Sequence, residues 1–160
     1  NEVIWSLSST IPNIPIVGVG TLEMEAFGYS GIRLPICPVI EVGKRIIAWA
    51  IFRYNRGKWQ QYLQEQTGSI EELVTQISGR TLFCGEGARG LASDLRQLLG
   101  HRLVTPNTYT PGLRLESLVH LGLLRVATYD EKHISSLQPL YLRNPIITEA
   151  KRSKSQKGVS

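Results

Sequence analysis

Gly85-Glu86-Gly87-Ala88-Arg89-Gly90 is a stretch whose residue types and spacing match a phosphate-handling pattern, G-x-G-x-x-G. It follows a strand-like apolar run, Thr81 to Cys84, and opens a helical pattern. In that context backbone N–H groups at a helix start can hold a phosphate, and Arg89 can add charge. The fingerprint also needs an acidic residue about 20 positions later to hold a ribose. None stands around Thr105, and the unit comes late in the chain, after a strand meander. The balance favours a tight strand-to-helix turn that needs small residues. Gly85, Gly87, Arg89 and Gly90 remain the candidate residues of a nucleotide site.

No other constellation converges. His101, His120 and His133 lack a second histidine or cysteine one helical turn away, so no metal site is expected. Cys37 and Cys84 carry no nucleophile signature, and their apolar surroundings mark them as small core residues rather than a disulfide framework. Glu71 and Glu72 point in different directions on a helix and make a poor acid and base pair. Trp5, Trp49, Trp59 and the six tyrosines are scattered without the basic interleaving of a stacking platform. The expectation is a chain with no catalytic residue, no metal and no cofactor.

The elements that would position these residues are read from periodicity. Ile14 to Val19 is a β-branched run bounded by Pro15, Gly18 and Gly20, which predicts a buried strand. Thr21 to Tyr29 predicts a helix with Thr21 as N-cap. Ile36 to Val42, Arg45 to Tyr54 and Trp59 to Gln66 form a meander, joined by turns at Gly43-Lys44 and Asn55-Arg56-Gly57. Ser69 and Glu72 form a capping box for a helix over Ile70 to Ser78, ended by Gly79, with Ile70, Leu73, Val74 and Ile77 on one face. A strand at Thr81 to Cys84, a helix at Ala88 to Leu99 with Leu91, Leu95, Leu98 and Leu99 inward, and a strand at Leu103-Val104 follow. This alternation implies parallel pairing. Pro106 to Pro111 is turn-like, and Leu113 to Thr128 carries an apolar helical stripe of Leu115, Leu118, Val119, Leu121 and Leu124 with His120 beside it. The last expected element is Gln138 to Arg143.

The 160 residues, 42% hydrophobic and 19% charged, suit one sizeable core, and no apolar run approaches the ~20 residues of a membrane span. The start lacks a signal-peptide pattern, and free thiols fit a reducing, cytoplasmic setting. Lys151, Arg152, Lys154 and Lys157 against Glu149 carry +3 of the net +5, which leaves +2 for the rest. Residues 145–160 therefore read as a basic, solvated, disordered tail.

The order of segments carries a resemblance. IPIVGVGTLE is similar to the I-P-hydrophobic-hydrophobic-G-V-x-T/S-L segment of the TsaB (YeaZ) family. ICPVIEVGKRIIAWAIFRYNRGKW stands in the place of that family's Asp-Ala-Arg-x-x-Glu-Val-Tyr strand pair, with Glu41, Val42 and Gly43 departing from Asp-Ala-Arg. LFCGEGA resembles its strand ending in G-x-G, and LQPLYLRN its P-hydrophobic-Y-L-R signature. The resemblance implies an α/β lobe of the actin, Hsp70 and sugar-kinase (ribonuclease H-like) type, a mixed sheet flanked by helices. Residues 1–144 would be the C-terminal lobe of two, since Asn1 to Asn13 does not match the G-P-G-S-F-T-G-x-R stretch of the family's N-terminal lobe.

The function implied is a non-catalytic partner in the complex that forms N6-threonylcarbamoyladenosine in tRNA. TsaD and TsaE homologues would be its partners, with self-association as a further pairing. Contact with tRNA would be indirect or through the tail. The H-x-x-x-H metal motif of TsaD is absent from this sequence, and the older glycoprotease label finds no protease constellation. The alternative is a nucleotide-binding enzyme of the actin-like superfamily that uses the Gly85-Gly87-Gly90 turn.

Overall fold

The computed structural model describes residues 16–106, 110 and 112–128. Five strands form one mixed sheet in the order β3-β2-β1-β4-β5. They are β1 (Ile36–Gly43), β2 (Ile46–Asn55), β3 (Lys58–Gly68), β4 (Thr81–Cys84) and β5 (Leu103–Val104). β1, β2 and β3 pair antiparallel as the expected meander, and β1, β4 and β5 pair parallel as the later alternation predicts.

β1, β2 and β4 are buried on both faces over most of their length, which is why they read as continuous apolar runs, whereas β3 is largely exposed. Side chains alternate along each strand. Cys37, Val39, Ile47, Trp49, Ile51 and Phe83 point to one face, where they meet α2 (Ile70–Thr75), α3 (Glu86–Gly90) and α4 (Ala92–Leu99) through Leu73, Ala88, Leu95 and Leu99. Ile36, Ala48, Ala50, Phe52, Leu82 and Cys84 point to the other, against Leu22 and Ala26 of α1 (Thr21–Phe27). α5 (Gly112–Ala127) packs on α1. Pro38 lies in the central strand, a place where proline removes a ladder donor. The β1–β2 register runs from Ile36↔Phe52 to Val39↔Trp49 and passes over Cys37 and Pro38.

Several boundaries differ from the sequence reading. Within the described part of Ile14 to Val19, residues 16–19 form no strand; the Gly18 carbonyl is taken by the Arg125 guanidinium and not by a neighbouring strand. β-propensity alone does not make a strand. Gly20, not Thr21, is the N-cap of α1 and offers no side-chain cap, with Glu23 in the first turn complementing the helix start. The helix ends at Phe27, beyond which Tyr29 and Ser30 donate three residues back. The first hairpin turn is shifted by one residue and the second is tighter than expected: Gly43 pairs with Ile46 and Asn55 with Lys58, which leaves Lys44-Arg45 and Arg56-Gly57 as the two-residue turns.

The Ser69–Glu72 capping box forms in both directions. The α2 helix stops at Thr75, whose hydroxyl donates back to the Glu72 carbonyl at 2.7 Å, and the Arg102 guanidinium donates to the Ile77 carbonyl at 2.6 Å beyond its end. The helix expected over Ala88 to Leu99 is two, divided at Leu91, because Gly87 and Gly90 weaken the first. Leu95 and Leu99 are buried as expected, whereas Leu98 is 41% exposed.

The largest difference lies in α5. Of its apolar stripe only Leu121 is buried; Leu115, Leu118, Val119 and Leu124 face solvent, together with Leu123 and Val126. The helix is turned by polar anchors: Ser117 is buried, Arg114 pairs with Glu25, and Arg125 pairs with Glu23. The expected element at Gln138 to Arg143 and the 145–160 tail lie outside the described residues.

Candidate functional site

The glycine turn follows the carboxyl end of β4 and lies beside the middle of the longer β1, past the pairing of Pro38 with Cys84. Gly85 adopts φ 88°, a left-handed conformation that favours glycine. A Cβ placed there would lie 2.5 Å from the Val39 carbonyl oxygen, and one at Gly87 would lie 2.9 Å from the same atom and 3.1 Å from the Glu41 nitrogen. A Cβ at Gly90 would lie 2.7 Å from Glu41 Oε1. Close approach of the β4–α3 turn to the β1 backbone therefore accounts for Gly85 and Gly87, whereas at Gly90 the near atom is the end of the flexible Glu41 side chain. Arg89 projects from the exposed side of α3, a helix of five residues.

Beside this turn, α1 and α5 contribute a charged pair that the sequence reading did not single out. Glu25 is 6% exposed and accepts from Arg114 Nε at 2.9 Å. Burial raises the Glu25 carboxyl above its ordinary range, with Arg114 and Arg89 pulling it down and Glu86 pushing it up. Cys84 Sγ donates to the Glu25 backbone carbonyl at 3.5 Å. Burial raises both thiols, Cys84 and Cys37, so neither supplies a thiolate nucleophile at neutral pH. The cluster can tie two helices to the sheet. It offers no activated nucleophile and, among the described residues, no group of side chains spaced to hold a metal.

His101 and His120 lie apart: His101 is in the turn before β5, and the His120 ring packs against Phe27 at 5.6 Å. His133 is outside the described residues. Glu71 and Glu72 separate as expected, since Glu72 is spent on the Ser69 cap. Glu71 lines an open cleft of about 650 Å³ with Glu41, Asp94 and Arg45. A second cleft, of about 800 Å³, lies at the other end of β2 and is lined by Arg33, Arg53 and Tyr54. The sequence reading missed it, because Arg33 meets Arg53 only through the Ile36↔Phe52 register.

The sheet order, the strand directions and the helices on both faces define an α/β lobe consistent with an actin- or ribonuclease H-like fold. Among solved structures, the chain is similar to one described as an uncharacterized protein with similarity to peptidase YeaZ from Pseudomonas aeruginosa, with a TM-score of 0.61 and 17% identity over 89% of this chain. The chain spans 65% of the length of that structure. At this identity the likeness speaks for the fold alone. No protein-family model matches the chain, and no curated protein matches it.

Proposed function

We propose that this chain is a lobe of a TsaB (YeaZ)-like protein that acts without chemistry of its own, as a partner in forming N6-threonylcarbamoyladenosine in tRNA. Residues 1–144 form its C-terminal lobe and 145–160 a basic tail. Its partners are TsaD and TsaE homologues, with self-association as a second mode, and the setting is the cytoplasm. No helix among the described residues is long and apolar enough to cross a membrane.

The observation that carries the reading is the contrast between the glycine turn and α5. Gly85 and Gly87 are accounted for by packing against the β1 backbone at Val39 and Glu41. On the other face of the sheet α5, packed on α1, presents Leu115, Leu123 and Leu124, each more than half exposed, to solvent. A run of exposed large apolar side chains marks an interaction surface more often than a substrate site. The likeness to a YeaZ-related fold supports the same reading at the level of architecture. The test is a pull-down of the intact protein with its TsaD homologue: retention supports the role, and no retention at micromolar concentrations contradicts it.

A further inference from the structure

We propose that the cleft at the β2–β3 end of the sheet binds single-stranded nucleic acid directly, through the folded body of the protein. This does not rest on the partner role above. The cleft, about 800 Å³, is lined by Arg33 from the loop before β1 and by Arg53, Tyr54 and Asn55 from the end of β2, and among the described residues no acidic one lines it. Arg56 and Lys58, both exposed, stand in and beside the adjoining turn. None of these four cations has a carboxylate within ion-pair distance among the described residues. Four unneutralised cations gathered at one end of a sheet favour a polyanion.

Tyr54, which lines the cleft, favours a nucleic acid among polyanions. Tyr54 is 50% exposed in the cleft, with its ring 5.9 Å from Trp59, which in turn stacks on Phe52. The Arg53 guanidinium lies 4.3 Å from the centroid of Tyr62, itself 65% exposed. An exposed ring beside guanidiniums provides the stacking and phosphate contacts by which single strands are held. Arg56 takes φ 50° at the first position of the hairpin turn, where Asn or Gly is the relaxed choice, and Arg45 takes the same region in the other hairpin turn.

The test is fluorescence anisotropy of a labelled single-stranded 12-nucleotide RNA with the full chain, measured at 50 and 200 mM salt. The affinity should fall with salt at a log–log slope of about −0.7 for each phosphate contacted, near −3 for four. Arg33→Glu should weaken binding about ten-fold or more, and Tyr54→Ala about ten-fold with the salt slope unchanged. Arg56→Asn is the discriminating variant: it should reduce the slope by about 0.7 and weaken binding while the melting temperature holds or rises. Neutralising Lys151, Arg152, Lys154 and Lys157 together should cost less than Arg33→Glu. The proposal is overturned if wild type does not bind RNA at 50 mM salt, or if the cleft variants bind like wild type. It is equally overturned if the tail variant alone abolishes binding, or if ATP at matched phosphate concentration or anionic vesicles displace the RNA completely.

Discussion

Arg114 of α5 reaches across to Glu25 of α1 and meets its carboxylate at 2.9 Å, where Glu25 is almost fully enclosed and Arg114 is partly open to water. Burial raises the Glu25 carboxyl, and Arg114 opposes that rise. A carboxyl whose folded value is raised contributes its stability fully below the ordinary carboxyl range and loses it as pH climbs through the raised value. Removing Arg114 raises it further. Arg114→Met should therefore cost little at pH 4 and about 1–2 kcal/mol at pH 8, less than a fully buried pair because the guanidinium is half in solvent. Urea unfolding at the two pH values measures the difference. Equal losses would mean that the pair does not govern the α1–α5 contact.

The glycine turn gives a sharper structural prediction. Gly85→Ala forces a side chain into a left-handed backbone and against the Val39 carbonyl, and should cost about 2–4 kcal/mol. Gly31→Ala meets nothing within 4 Å and should change stability by less than about 0.5 kcal/mol. Chemical denaturation of the two variants side by side checks this. A mild Gly85→Ala would mean that the turn has room that the packing against β1 does not show.

On α5, burial and sequence pattern separate. Leu121→Ala removes a side chain that is 3% exposed and should lower stability by about 2–4 kcal/mol. Leu115→Gln and Leu123→Gln change side chains that are each 65% exposed, and should leave the melting temperature unchanged while improving solubility. Thermal unfolding of the three variants decides whether the helix is turned as described; a large loss from Leu115→Gln would contradict it.

Both cysteines should be silent. Cys37 and Cys84 are enclosed, with their thiols raised by burial. A thiol reagent at pH 8 should label neither in the folded protein and both in 6 M guanidinium chloride. Rapid labelling under native conditions would show that one face of the sheet opens.

What the sequence made legible was local. The Ser69–Glu72 box needs only residues within one turn, and the β1–β2–β3 meander needs only alternation and nearby turn residues, so both could be read directly. The orientation of α5 could not, because it is set by Glu23 and Glu25, which lie about 100 residues earlier than Arg125 and Arg114. Ion pairs at that separation leave no periodic trace and can override an apolar stripe. The basic cleft was hidden for the same reason: Arg33 and Arg53 look unrelated until Ile36 pairs with Phe52. The glycine fingerprint was legible as a motif, whereas its purpose depends on the distance to Val39.

The proposed function is that this protein supports a reaction that it does not perform. Reconstituted threonylcarbamoylation of tRNA, with TsaD and TsaE homologues and the adenylate-forming synthase, run with and without the intact protein and paired with its own ATP turnover alone, tests it most directly. The account predicts that modification depends on the protein while the protein alone hydrolyses no ATP. Modification at full rate without it, or ATP turnover by the protein alone that Gly87→Val abolishes without unfolding it, would contradict the account.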